Sequence, residues 1–326
     1  MSPAGSLRSD ESALIARLLD SEPRHMPHPD YIRFCHNRPI HLASRQDSIN
    51  SILKVHSHFE FKPVTAFLSI NYFGRFLAAN SLPETGWQFQ LLSIACLSLA
   101  AKMEELHVPC LLELQSLERT YIFEPKTVQR MELLILTTLD WRLRSVTPFD
   151  YLHHFISMLP SSSASAANHS VASYIILNTS RVVDFMRFPP SVIAAAAAIS
   201  SGGAGADLPD TFDERINRVR FDFAEILLEI RGSEINGISH SPGAKKEIFT
   251  DFVLLQEMVR SCHQLMEEYL LDTCLSSDGL KAAPPSPHGV LEAAACASCD
   301  TNSENQAGSE PQNKRPRLSP PDVQES

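Results

Sequence analysis

The residue types that most often carry chemistry are scattered in this chain. Cys296 and Cys299, in CASC, have the spacing of a metal or redox pair, and His25 and His28, in HMPH, have a similar one. A tetrahedral zinc ion takes four ligands, and neither pair has a second pair near it in the sequence, so neither is expected to hold a metal. His153 and His154 have no neighbouring nucleophile, and they read as solvated or core histidines. Adjacent carboxylates such as Glu104 and Glu105 occur on any helical protein. The sequence contains no G-x-x-x-x-G-K-[ST] phosphate loop, no H-E-x-x-H helix and no G-x-S-x-G elbow. No catalytic residue and no cofactor is expected, and the chain does not read as an enzyme.

Two charges remain, and their surroundings are apolar. Residues 91 to 101, LLSIACLSLAA, carry no charge, and then Lys102 arrives with Glu104 and Glu105 behind it. An ammonium in the last turn of a helix complements the helix dipole and can reach to water along its own apolar stem. Equally, it can be held at a surface that another molecule reads. Glu132, in RMELLILTTL, has apolar residues on nearly every side. A helix edge with Gln129 or Arg130 as local partner would explain it, and so would contact with a partner protein.

These two residues sit in an acidic, helical chain. It has 326 residues, enough for two ordinary domains and tails. Its apolar content of 44% is sufficient for a buried core. A net charge of −10 speaks against direct nucleic-acid binding or an anionic membrane surface, because phosphate contact needs clustered Lys and Arg. Seven scattered cysteines read as reduced thiols inside the cell. The polar start MSPAGSLRSDES shows no apolar signal region. The uncharged run of residues 91 to 101 falls well short of the ~20 residues a membrane span needs. A soluble intracellular protein is the expectation.

Helical periodicity fills most of the chain, with no alternating strand pattern. ESALIARLLDSE gives a short first helix, and PHPDYIRFC follows it. From Ser48 to Phe59, the residues Ile49, Ile52, Leu53, His56 and Phe59 keep the spacing of an amphipathic helix. A second helix opens at Pro63 and ends near Asn80, where proline at the first position loses nothing because its N–H would be unpaired anyway. The run ending on Lys102 is a third, VPCLLELQSLE a short fourth, and a fifth begins near Pro125. The order then recurs. Thr147, Pro148 and Asp150 form a helix-start signal, with Thr147 as the cap. VASYIILNTSRVVDFMRF and the uncharged PPSVIAAAAAISS follow, with further helices within residues 211–232 and 245–274. The expected fold class is all-α, with two stacked sets of about five helices. From residue 276 onward Ser, Pro, Ala, Asn, Gln and Gly dominate, a composition that cannot bury enough surface to order itself.

At this point the chain resembles a known family. SEPRHMPHPDY, SINSILKVHSHFEFKPVTAFLSINYFGRFL, LLSIACLSLAAKMEELHVPCLLELQ and FEPKTVQRMELLILTTLDWRLRSVTPFDYL are similar to segments of plant D-type cyclins. The likeness runs from about Ser21 to Phe155 and is looser to about Cys274. The resemblance implies two tandem five-helix cyclin boxes. In that frame residues 1–38 are an N-terminal segment with short helices, 39–145 an N-terminal box, 146–275 a C-terminal box-like domain and 276–326 a disordered tail. It further implies a regulatory subunit that binds and allosterically activates a cyclin-dependent Ser/Thr kinase to control G1/S progression and division. Lys102 and Glu132 would contact the kinase, and kinase inhibitor proteins would be further partners. Other cyclin-box roles are a scaffold of the transcription machinery and a kinase binder that no longer activates.

Three departures from the family pattern stand out. The L-x-C-x-E pentapeptide, read in that family by a retinoblastoma-type pocket, is absent. The tryptophan of the first box helix is Ser51, and positions that often form an apolar peptide dock are Ser44, Asp47, Ser48 and Ser51. The aspartate of Y-L-D-R-F-L is Gly74 in YFGRFL, which removes the family's partner for Arg45. Arg45 must then find another acceptor, such as Asp47, Glu60 or a helix-end carbonyl, or else reach solvent; solvent exposure is the simpler expectation. In the tail, Lys314, Arg315 and Arg317 of KRPR fit a nuclear import signal, and Ser286 and Ser319, each before proline, fit proline-directed phosphorylation. The nucleus, with the cytoplasm as a second location, is the expected site.

Overall fold

Prolines set the starts of four helices. The computed structural model of the chain describes residues 13–83, 86–117, 120–159, 165–201 and 254–270. Helix α1 covers residues 13–21, α2 Asp30–His36, α3 Pro39–His58, α4 Pro63–Ala79 and α5 Trp87–Glu104. Then come α6 Pro125–Thr138, α7 Phe149–Met158, α8 Ser165–Thr179, α9 Pro190–Ser201 and α10 over residues 254–270. Among the described residues there is no strand. Proline opens α3, α4, α6 and α9, where its fixed φ suits the first turn.

Helices α4 and α5 form the centre of the first half. Residues 91–101 of α5 are buried without exception, which is what an uncharged all-round helix requires. Tyr72, Phe73 and Phe76 of α4 pack with Leu92 and Cys96 of α5 and Val128 and Ile135 of α6. Helix α9 plays the same central part in the second half. Ala194 to Ala198 are all fully buried among Leu152, Phe155 and Ile176, so small side chains let α7 and α8 approach its backbone closely. Ile15 of α1 joins this second core, whereas Tyr31 and Cys35 of α2 join the first. The N-terminal segment therefore binds to both halves.

Four local expectations need correction. Helix α3 starts at Pro39 rather than near Ser48, because its first half buries His41 and Arg45, polar residues that give no apolar period. The stretch VPCLLELQSLE forms only one 3-10 turn, Glu113–Gln115. Helix α8 ends at Thr179, and a separate 3-10 turn spans Val183–Arg187; the hydroxyls of Thr179 and Ser180 donate back to carbonyls of α8 at its end. Thr147 lies one residue before the cap position, yet its N–H and hydroxyl both donate to Asp150 Oδ2, at 2.6 and 2.8 Å. The proposed helix over 211–232, residues 245–253 and 271–274 of the last proposed helix, CASC and the tail with Ser286, Lys314, Arg315, Arg317 and Ser319 lie outside the described residues.

Candidate partner-binding surface

Glu132 sits on α6 and Lys102 in the last turn of α5, and the two helices pack side by side. The Lys102 ammonium donates to both Glu132 oxygens, each at 2.7 Å. Neither Gln129 nor Arg130 is the partner of Glu132; the pairing crosses between helices, 30 residues apart in sequence. The carboxylate is the inner member, with its side chain 10% exposed against 45% for Lys102. An ammonium so placed is fixed by a charge-assisted double contact and still faces solvent. Exposed apolar side chains adjoin the pair in sequence: Met103 and Leu106 just after Lys102, and Leu133 and Leu134 just after Glu132. Exposed apolar residues next to a fixed charge are the composition of a protein-binding patch.

The chain builds this corner to be stiff. Glu105 Oε1 accepts the Lys62 backbone N–H at 2.8 Å and the Thr65 hydroxyl, so the residue after α5 caps the start of α4. Lys62 Nζ donates to the Glu104 carbonyl. Gln115 is fully buried in the loop between α5 and α6, and its amide donates to the Leu111 carbonyl at 2.7 Å and accepts from Phe123 N–H at 2.7 Å. Glu113 Oε2 accepts the Cys110 N–H at 2.7 Å. Glu105 and Gln115 escape a reading by sequence, since the partners of Glu105 lie at the start of α4 and those of Gln115 are backbone groups of its own irregular loop. The far end of α4 holds the segment after α6: Tyr72 donates to the Leu143 carbonyl, and Arg75 to the Arg142 carbonyl and Ser145 hydroxyl, both at 3.0 Å.

Arg45 does not escape to solvent. It is 1% exposed, with Nη1 donating to the Arg181 carbonyl at 2.9 Å and Nη2 to Met186 Sδ at 3.3 Å. Neither Asp47 nor Glu60 is its acceptor; the helix-end carbonyl after α8 is. Gly74 lies beside the same methionine, and a Cβ placed there would stand 2.8 Å from Met186 Cε. The methionine thus occupies the space that a side chain at residue 74 would use. His153 is exposed, and His28 Nδ1 accepts the Asp30 N–H at 3.3 Å. Among the described residues no three His, Cys, Asp or Glu side chains gather as a metal site would need.

Two family models match in tandem: cyclin, N-terminal domain, over residues 14–144, and cyclin, C-terminal domain, over residues 146–202. Cyclin-D4-1 of Arabidopsis thaliana is 34% identical over 296 residues, which cover 90% of this chain and 83% of that protein. The chain belongs to the D-type cyclins. Cyclin-D1-1 of Arabidopsis thaliana is 47% identical over 187 residues, 57% of this cyclin and 55% of the relative, so the match spans about half of that relative's length. Among solved structures, a viral cyclin from herpesvirus saimiri aligns with a TM-score of 0.51 at 15% identity, over 70% of this cyclin and 86% of that chain. That likeness concerns the fold alone. Helices α3 to α6 lie within the N-terminal match, and α7, α8 and α9 within the C-terminal one.

Proposed function

We propose that this D-type cyclin is the regulatory subunit of a cyclin-dependent Ser/Thr kinase, binding through the α5–α6 corner and acting at the G1/S step of cell division. The observation that carries the reading is the Lys102–Glu132 pair, a fixed charge flanked along both helices by exposed apolar side chains. The chemistry belongs to the kinase. Phosphoryl transfer requires its strand-β3 Lys paired with the Glu of helix αC, and an ordered activation loop. A stiff helical surface that binds only that arrangement shifts the kinase population toward it. Copurification with a cyclin-dependent kinase, followed by a phosphorylation assay of the complex, tests this. A complex with raised activity is expected; a complex without it leaves a binder that no longer activates, and no complex at all removes the reading.

Lack of L-x-C-x-E gives a second expectation. The free cyclin should show no tight binding to a purified retinoblastoma-type pocket, and a strong pulldown from pure components would point to a different site.

The proposal extends to location. The KRPR run of residues 314–317 would be read by an import receptor, although three basic residues make a short signal. Deleting residues 310–326 is expected to lower the nuclear-to-cytoplasmic ratio severalfold by fluorescence microscopy. An unchanged ratio removes the import role.

A further inference from the structure

Arginine keeps its charge at any pH a folded protein meets, and the Arg45 guanidinium is buried with no carboxylate partner among the described residues. The Arg181 carbonyl and the Met186 thioether satisfy donors but carry no formal charge. The Nε of Arg45 has no acceptor among the described residues. Its ionisable neighbours do not help: burial pushes the Tyr31 phenol and the Cys35 thiol above their usual ranges, so both stay neutral. A buried cation without a counter-charge is costly, and a protein normally pairs it.

A cavity of about 70 Å³ opens against this residue, lined also by His25, Asn71, Thr179, Ser180 and Met186. That is several times the roughly 10–15 Å³ needed to admit one water. None of the residues lining it is acidic. The hydroxyls of Thr179 and Ser180 already donate to α8 carbonyls, and Asn71 Nδ2 donates to the His25 carbonyl at 3.0 Å. Of the side chains lining the cavity, Arg45 is the one that carries a fixed positive charge.

We propose that this cavity is a binding site for a small monocarboxylate held on Arg45. A planar N–H fork matches the two oxygens of a carboxylate better than it matches a spherical halide. Gly74 supplies an internal control. A carboxylate carried there, as in Gly74→Asp, would enter beside the Met186 methyl, a mobile side-chain end, and give Arg45 its counter-charge from within.

The test is thermal unfolding of the full chain in sodium formate, with ionic strength held by sodium HEPES, whose anion is too bulky to enter. The midpoint should rise saturably, by roughly 5 °C at a hundredfold excess over Kd. Chloride at equal concentration should give less than half that rise. Gly74→Asp and Arg45→Met should each lower the apparent formate affinity by at least tenfold. A flat formate response, a chloride response equal to it, or an undiminished response in Gly74→Asp overturns the assignment. The two titrations of the parent protein decide the matter even if Arg45→Met fails to fold.

Discussion

Reversing either member of the Lys102–Glu132 pair is expected to weaken kinase binding by several kcal/mol, because a desolvated charge on the partner side would be left unpaired. The geometry adds a second, intramolecular effect. Glu132→Lys sets two ammonium groups against each other at a buried position, and Lys102→Glu does the same with two carboxylates. Breaking a fully buried pair costs roughly 3–5 kcal/mol. Lys102 is half exposed, so solvent screening reduces the expected loss of stability to about 1–3 kcal/mol. The two effects come apart in the double exchange Lys102→Glu with Glu132→Lys. It should recover the unfolding midpoint, since the pair re-forms with opposite sense, yet leave the affinity low, since the partner then meets the wrong charge outermost. Calorimetric titration with the kinase, beside thermal unfolding, measures both. If affinity returns together with stability, the pair serves only to hold α5 to α6. Parent-like binding by both single variants would remove it from the interface.

The Glu22 carboxylate should make stability depend on pH. It lies just after α1 and is buried, accepting the Ser191 backbone N–H at 2.7 Å and the Ser191 hydroxyl at 3.0 Å. It therefore ties the N-terminal segment to the start of α9. Burial pushes its pKa up from 4.5 to about 7, against the opposing pull of the hydrogen bonds from Ser191 and Tyr151. A carboxyl with a raised folded-state pKa binds more protons folded than unfolded between those two values. Stability from this group is therefore complete below pH 4.5 and declines as pH rises to 7 and beyond, by about 3 kcal/mol in total. Glu22→Gln keeps an oxygen for the Ser191 N–H and cannot ionise. Urea unfolding at pH 5, 6, 7 and 8 should show the variant gaining on the parent as pH rises, with most of the change between pH 5 and 7. Parallel curves for the two proteins would show that Glu22 does not titrate in this range.

Most of the helices are legible in the sequence because local signals define them. Pro63, Pro125 and Pro190 mark starts, and the uncharged runs of α5 and α9 can only be interior helices. What escapes is set by contacts distant in the chain. The first half of α3 has no apolar rhythm, since its buried face is made of His41 and Arg45. The polar cluster at Asn178, Thr179 and Ser180 marks the break after α8, but the strong apolar runs on both sides conceal it. Lys102 and Glu132 each stand out from their neighbours by charge, although nothing in their spacing shows that they face each other. Likewise, no local pattern links Glu22 to Ser191, 169 residues later, or Arg45 to the carbonyl of Arg181.

The buried Gln115 and the Glu105 cap have a kinetic meaning. Both tie down backbone that borders the docking corner before any partner arrives. A surface already ordered gives up little freedom on association, so little of the contact energy is consumed in arranging it. In the proposed complex, adjustment falls to the softer member, the kinase. The cyclin then acts as a mould, and the rate of productive encounter follows how often the kinase visits a shape that fits, rather than how long the cyclin takes to assemble its own.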